Sequence, residues 1–194
     1  AARESGDEKA VAEAEAALTY AKEHSFKPIF GCEMYVAQED LHTHVDKRDI
    51  GRHLIVLAKN ATGYHNLVKL VSKAWTEGFY MHPRTDKHEI EKHREGLIIA
   101  SACLGGEIPQ LLMNGRDEEA EAAVAWWKNL MGEDYYIELQ RHKATVVNAA
   151  HDTYEKQRAI EPKLIALARK YDIKLIATND VHFVDEDDAE AHDR

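Results

Sequence analysis

The sequence predicts an α/β fold in which parallel strands are covered by helices. Three observations carry that expectation. Strand-like and helix-like stretches alternate along the chain, the strand runs are apolar on consecutive residues, and Gly, Pro or Asn marks many of the junctions. With 194 residues, 44% of them hydrophobic and 31% charged, the chain has the size and balance of one globular domain with a sizeable core.

Taken in order, residues 7–24 are rich in Ala, Glu and Lys with apolar residues at loose helical spacing, which predicts an exposed amphipathic helix. "FKPIFGCEMYVA" follows as a strand, bounded by Pro28 and interrupted by Gly31. The polar, aperiodic residues 38–52 read as a loop, "HLIVLAK" as a buried strand, and residues 60–63 as the turn into the helix "YHNLVKLVSKAW". "TEGFYMHPRTD" reads as a loop, "KHEIEKHR" as a short helix, and "EGLIIASACLGGEIPQLL" as strand, Gly-rich turn and helix. "DEEAEAAVAWWKNLMG" is an amphipathic helix closed by Gly132. "DYYIELQ" is a strand, "KATVVNAAHDTYEKQRAIEPKLIALARKYD" mostly helix, and "IKLIATND" the last strand. "VDEDDAEAHDR" places acidic residues at a helix start, where the backbone dipole favours them.

Composition excludes several classes. A net charge of −10 argues against gripping a nucleic-acid backbone over a wide surface, which needs clustered Lys and Arg, but leaves room for a small site where metal ions neutralise one phosphate. The apolar runs are too short to cross a bilayer, so no membrane partner is expected. Nothing at the start resembles a secretion signal, so Cys32 and Cys103 are expected as free thiols of a cytoplasmic protein. There is no Gly-rich phosphate loop, no G-x-S-x-G and no paired CxxC.

In α/β folds, chemistry sits at the carboxyl ends of strands and in the loops that follow. Reading off those positions gives Cys103 after "LIIAS", Arg141-His142 after "YYIELQ", and Asp180 and His182 after "IKLIATN", with Glu33 inside the first strand. Imidazole, thiolate and carboxylate are the common ligands of Zn, Mn and Fe. Each residue alone has a plain structural reading: Asp180 as a turn former, Cys103 as a small buried hydrophobe, Glu33 as an ion-pair partner. Their collection at one rim is what points to a metal. His53 opens its strand, so it approaches Glu33 only if "HLIVLAK" runs antiparallel to "GCEMYV". His42 and His44 read as solvated loop residues, and His65, His88, His93 and His151 as exposed helix faces. Trp126-Trp127 and Phe79-Tyr80 read as core rather than as base-stacking platforms. The two glycines of "SACLGGE" read as a tight turn, with an anion cradle as the alternative.

"KPIFGCEMYVA", "HLIVLAKNATGYHNLVKLVSKAW", "EGFYMHPRTDK", "EGLIIASACLGGEIP", "YYIELQRH" and "IATNDVHFVDEDDAEAHD" together resemble the PHP (polymerase and histidinol phosphatase) domain of bacterial DNA polymerase III alpha subunits. The resemblance implies a distorted (β/α)7 barrel holding a divalent transition metal, Zn, Mn or Fe. By motif, it implies Glu33, His53, Cys103, Asp180 and His182 as ligands and His142 as a residue beside them, with no general base assigned. The family pattern opens with H-x-H and T-D-H segments that are not found before Phe26, which implies the later part of such a barrel, without its first strands. Residues 1–25 are then expected as a helical extension and 26–194 as the domain. The implied function is that of a replicative DNA-directed DNA polymerase subunit whose PHP domain is a phosphoesterase, a 3′–5′ exonuclease on the primer strand. The rival is an inactive domain that braces the polymerase or docks a proofreading subunit. The implied partners are the rest of the alpha subunit and primer-template DNA. An open barrel would also expose strand edges and favour self-association.

Overall fold

A computed structural model describes residues 8–43, 50–144, 152–185 and 188–192. In chain order its elements are α1 (Glu8–Glu23), β1 (Gly31–Val36), β2 (Arg52–Ala58), α2 (Ala61–Thr76), β3 (Phe79–Tyr80), β4 (His82–Thr85), α3 (Lys87–Lys92) and β5 (Leu97–Ala100). They continue with α4 (Glu107–Met113), α5 (Asp117–Met131), β6 (Tyr135–Leu139), α6 (Asp152–Lys170), β7 (Lys174–Ala177) and α7 (Ala189–His192).

The strands form one mixed sheet in the order β3-β4-β1-β2-β5-β6-β7. The expectation of parallel strands holds for β1–β4, β5–β6 and β6–β7, whereas β1–β2, β2–β5 and β3–β4 are antiparallel. The difference follows from the connections. No helix lies among the described residues between β1 and β2, and a parallel pair needs a long crossover. "TEGFYMHPRTD" is not a plain loop. It folds into the β3–β4 hairpin around Met81, whose φ is 61°.

Val56, Ile99 and Ile137 put one fully buried side chain from each central strand into the core, against Leu70 of α2, Ile108 of α4 and Val124 and Trp127 of α5. Local signals fix where helices begin. The Asn60 side chain accepts from the Gly63 amide at 2.9 Å, and Asp86 accepts from the Glu89 amide at 2.8 Å while also taking the Leu41 amide. Gly132, at φ 58°, closes α5 as its sequence predicts.

Trp127 lies in the core and Trp126 is half-buried, but Phe79 is 55% exposed, contrary to its reading as a core residue. His65 and His88 are exposed as expected, whereas His93 is half-buried, its Nε2 lying 3.7 Å from buried Glu89. His44 and His151 lie outside the described residues. Helix α1 buries none of its residues.

Candidate metal centre

The centre is built first by strand register. In the antiparallel β1–β2 pair, Tyr35 stands opposite His53 and Met34 opposite Leu54. Opposite residues share a face and faces alternate along each strand, so Glu33, Tyr35 and His53 share one side while Met34 and Leu54 enter the core on the other. Glu33 and His53 are thus diagonal neighbours, and His53 Nδ1 sits 2.7 Å from Glu33 Oε1. The Tyr35 ring meets the His53 ring edge-on at 4.9 Å.

The loop after β5 brings the third group. Ala102 takes a left-handed φ of 61°, and Cys103 Sγ arrives 3.4 Å from His53 Nδ1. The same loop clamps β2: the His53 amide donates to the Gly105 carbonyl at 3.1 Å, and a Cβ at Gly105 would stand 2.9 Å from the His53 ring. Only glycine lets the backbone lie this close to the imidazole.

The chain after β7 supplies the rest. Asp180, at φ 50°, turns the backbone, and its carbonyl lies 2.8 Å from His182 Nδ1. With Nδ1 donating there, Nε2 is left available. The donor atoms form two sets, Glu33 with His53 and Cys103, and Glu33 with Asp180 and His182, each within 4.8 Å of one another. Glu33 belongs to both.

Two pKa shifts record the charge balance. Hydrogen bonding to Cys103 and Glu33 pushes His53 up to about 10. The His53 hydrogen bond in turn holds the Glu33 carboxyl below its ordinary value. Cys32, on the same strand, has its thiol pushed up by burial and by Glu33, the behaviour of an inert packing residue. Both cysteines are free thiols.

Beside His53 a cleft of about 470 Å³ opens between the ends of β1 and β2 and helices α4 and α5. Its walls carry Arg52, Lys87, Gln110 and Trp126. Lys87 pairs with Glu107 at 2.6 Å and lies 5.0 Å over the Trp126 ring. Arg52 has no side-chain hydrogen bond or ion pair among the described residues.

A family model described as the PHP domain matches residues 6–142. The chain belongs to the PHP domain family. The match takes in α1 as well as Glu33, His53 and Cys103, and ends before Asp180 and His182. The DNA polymerase III subunit alpha of Borreliella burgdorferi is 42% identical over 175 residues, 89% of this chain and 14% of that protein. The subunit from Treponema pallidum is 44% identical over 86% of this chain, and that from Thermus aquaticus 41% over 86%, covering 14% and 13% of those proteins. The chain therefore spans about a seventh of the length of these relatives.

Within this PHP domain the five residues singled out as ligands come together, although they arise from β1, β2 and the segments after β5 and β7. Their chemistry fits a divalent transition metal: two imidazoles and a thiol for softer ions, two carboxylates to balance charge. His142 joins neither set. Its amide and ring are held by Gln157, at 2.7 and 2.9 Å. Sequence reading passed over Glu138, a buried carboxylate on β6 that accepts from the Ala102 amide at 2.9 Å and the Thr178 hydroxyl at 2.6 Å. The only sequence signal was a charged residue inside the apolar run "YYIEL".

Proposed function

We propose that this chain is the metal-binding part of a phosphoesterase PHP domain in a DNA polymerase III alpha subunit. In the longer polypeptide the domain acts as a cytoplasmic 3′–5′ exonuclease on the primer strand, and the sheet forms part of a distorted (β/α)7 barrel. The observation that carries this reading is the convergence of five metal-binding side chains on the shared carboxylate of Glu33. A bound Zn, Mn or Fe ion would lower the pKa of a coordinated water and neutralise charge on the phosphate.

The chain's own residues set the conditions. His53 gives up the proton it shares with Glu33 and Cys103 before it can ligate, so loading is coupled to proton release. His182 is oriented by the Asp180 carbonyl and presents Nε2. Cys103 favours softer ions over Mg and Ca. The cleft beside His53, with Arg52 and Trp126 in its walls, offers the adjoining nucleotide a cationic and an aromatic contact.

The test is metal analysis and nuclease assay of the longer polypeptide with a 3′-labelled primer. The reading expects bound transition metal and metal-dependent release of 3′-terminal nucleotides, with the bound metal reduced and the release lost in His182→Ala. Wild-type protein without metal would overturn it. A second reading, a domain that docks a proofreading subunit without acting itself, draws on the exposed apolar residues Val181 and Val184 after β7. It expects bound subunit and no nuclease activity.

A further inference from the structure

The ends of three neighbouring strands carry a polar network that the metal ligands do not explain. Glu138 on β6 is 5% exposed, and both of its oxygens are engaged from different directions. Oε1 accepts from the Ala102 amide, in the turn immediately before Cys103. Oε2 accepts from the Thr178 hydroxyl, two residues before Asp180. Gln140, further along the same segment, donates from Nε2 to the same Thr178 oxygen at 3.0 Å. The Glu138 amide donates to the Ser101 hydroxyl at 2.9 Å, which ties the strand a second time to the Cys103 turn.

Both turns need holding. Ala102 and Asp180 sit at φ 61° and 50°, the left-handed region where a residue with a Cβ is at a disadvantage. Strained backbone persists only where its surroundings over-determine it. A carboxylate accepting two hydrogen bonds supplies that constraint, because charge-assisted bonds are about twice as strong as neutral ones.

We infer that Glu138 is a positioning residue for the metal centre: one buried carboxylate clamps the turn that presents Cys103 and the turn that presents Asp180 and His182, fixing their distance from Glu33. Glu138 belongs to neither donor set and acts through the backbone of one turn and a hydroxyl of the other. The inference rests on the metal-centre reading above.

The experiment is a titration of the chain with cobalt(II), followed by absorption, so that the thiolate charge-transfer band reports Cys103 and the d–d bands report geometry. Removing partners that orient ligands costs about 10–100-fold in metal affinity, and Glu138→Ala is expected to weaken cobalt binding by that amount and diminish the thiolate band. Glu138→Gln is expected to restore both. Its amide oxygen can accept from the Ala102 amide, and its NH2 can donate to a Thr178 hydroxyl that turns round. Ile137→Ala, a neighbouring core change that leaves both turns tethered, controls for loss of stability and is expected to keep the wild-type spectrum. Glu138→Ala binding cobalt with wild-type affinity and spectrum would overturn the clamp while leaving the metal centre standing. So would an equal loss in Ile137→Ala. A wild-type chain that shows no cobalt bands would remove the metal centre itself, and the clamp with it.

Discussion

Glu33 is the residue on which two sets of donors depend, because its carboxylate is within reach of His53 and Cys103 on one side and Asp180 and His182 on the other. Glu33→Ala is therefore expected to abolish metal binding, and His182→Ala to remove only the part held by the second set. Calorimetric titration with Zn separates the two, and equal residual binding in both variants would contradict the shared role. The metal-free chain makes a pH prediction. His53 is raised from 6.5 to about 10, so its contribution to stability is complete below about 6.5 and is lost as pH rises through about 10. Glu33 is lowered from 4.5, so its contribution is present above that value and is lost as pH falls through its depressed pKa. An NMR titration of the metal-free chain is expected to place the His53 midpoint near 10, and a midpoint near 6.5 would show that the pair does not form. At this scale the sequence was informative where a donor follows a strand, as Cys103, Asp180 and His182 do. It marked Glu138 only as a charge within an apolar run, because its partners are a backbone amide and a hydroxyl that carry no sequence pattern.

Elements matter here chiefly through register and close approach. The turn 101–106 packs its backbone on the His53 ring, so Gly105→Ala forces a Cβ to within 2.9 Å of that ring. Overpacking of this kind costs about 1–3 kcal/mol, and the variant is expected to lose that much stability in urea and to bind metal more weakly as His53 is pushed aside. Wild-type metal affinity in Gly105→Ala would mean that His53 does not need its observed place. The helices were legible because their apolar spacing and capping residues agree, as Asn60 and Asp86 show. The β3–β4 hairpin was not, since strands of two and four residues are too short to display a period and Pro83 argues against one. Strand direction was equally hidden. The run "HLIVLA" suggests burial on both faces, yet only Leu54 and Val56 are fully buried, and the other face carries His53.

Across the molecule, an apolar core on one side of the sheet supports a polar rim that gathers the candidate metal ligands. Trp127, 1% exposed with its indole N–H donating to Glu107 at 3.0 Å, joins the two, because Glu107 also binds Lys87 in the wall of the cleft. Trp127→Ala is expected to cost about 3–5 kcal/mol in denaturant unfolding, the range for emptying a large aromatic site. A loss below about 1 kcal/mol would show that the helical layer is not anchored there. No helix among the described residues is long and apolar enough to cross a membrane. The metal centre requires that five side chains from four segments of the chain hold metal together. Anomalous diffraction from crystals of the chain grown with Zn or Mn tests this. The expected result is a peak at about 2.0–2.2 Å from a Glu33 carboxylate oxygen, with His53 and Cys103 or Asp180 and His182 as its other neighbours. At saturating metal, density that avoids Glu33 altogether would contradict it.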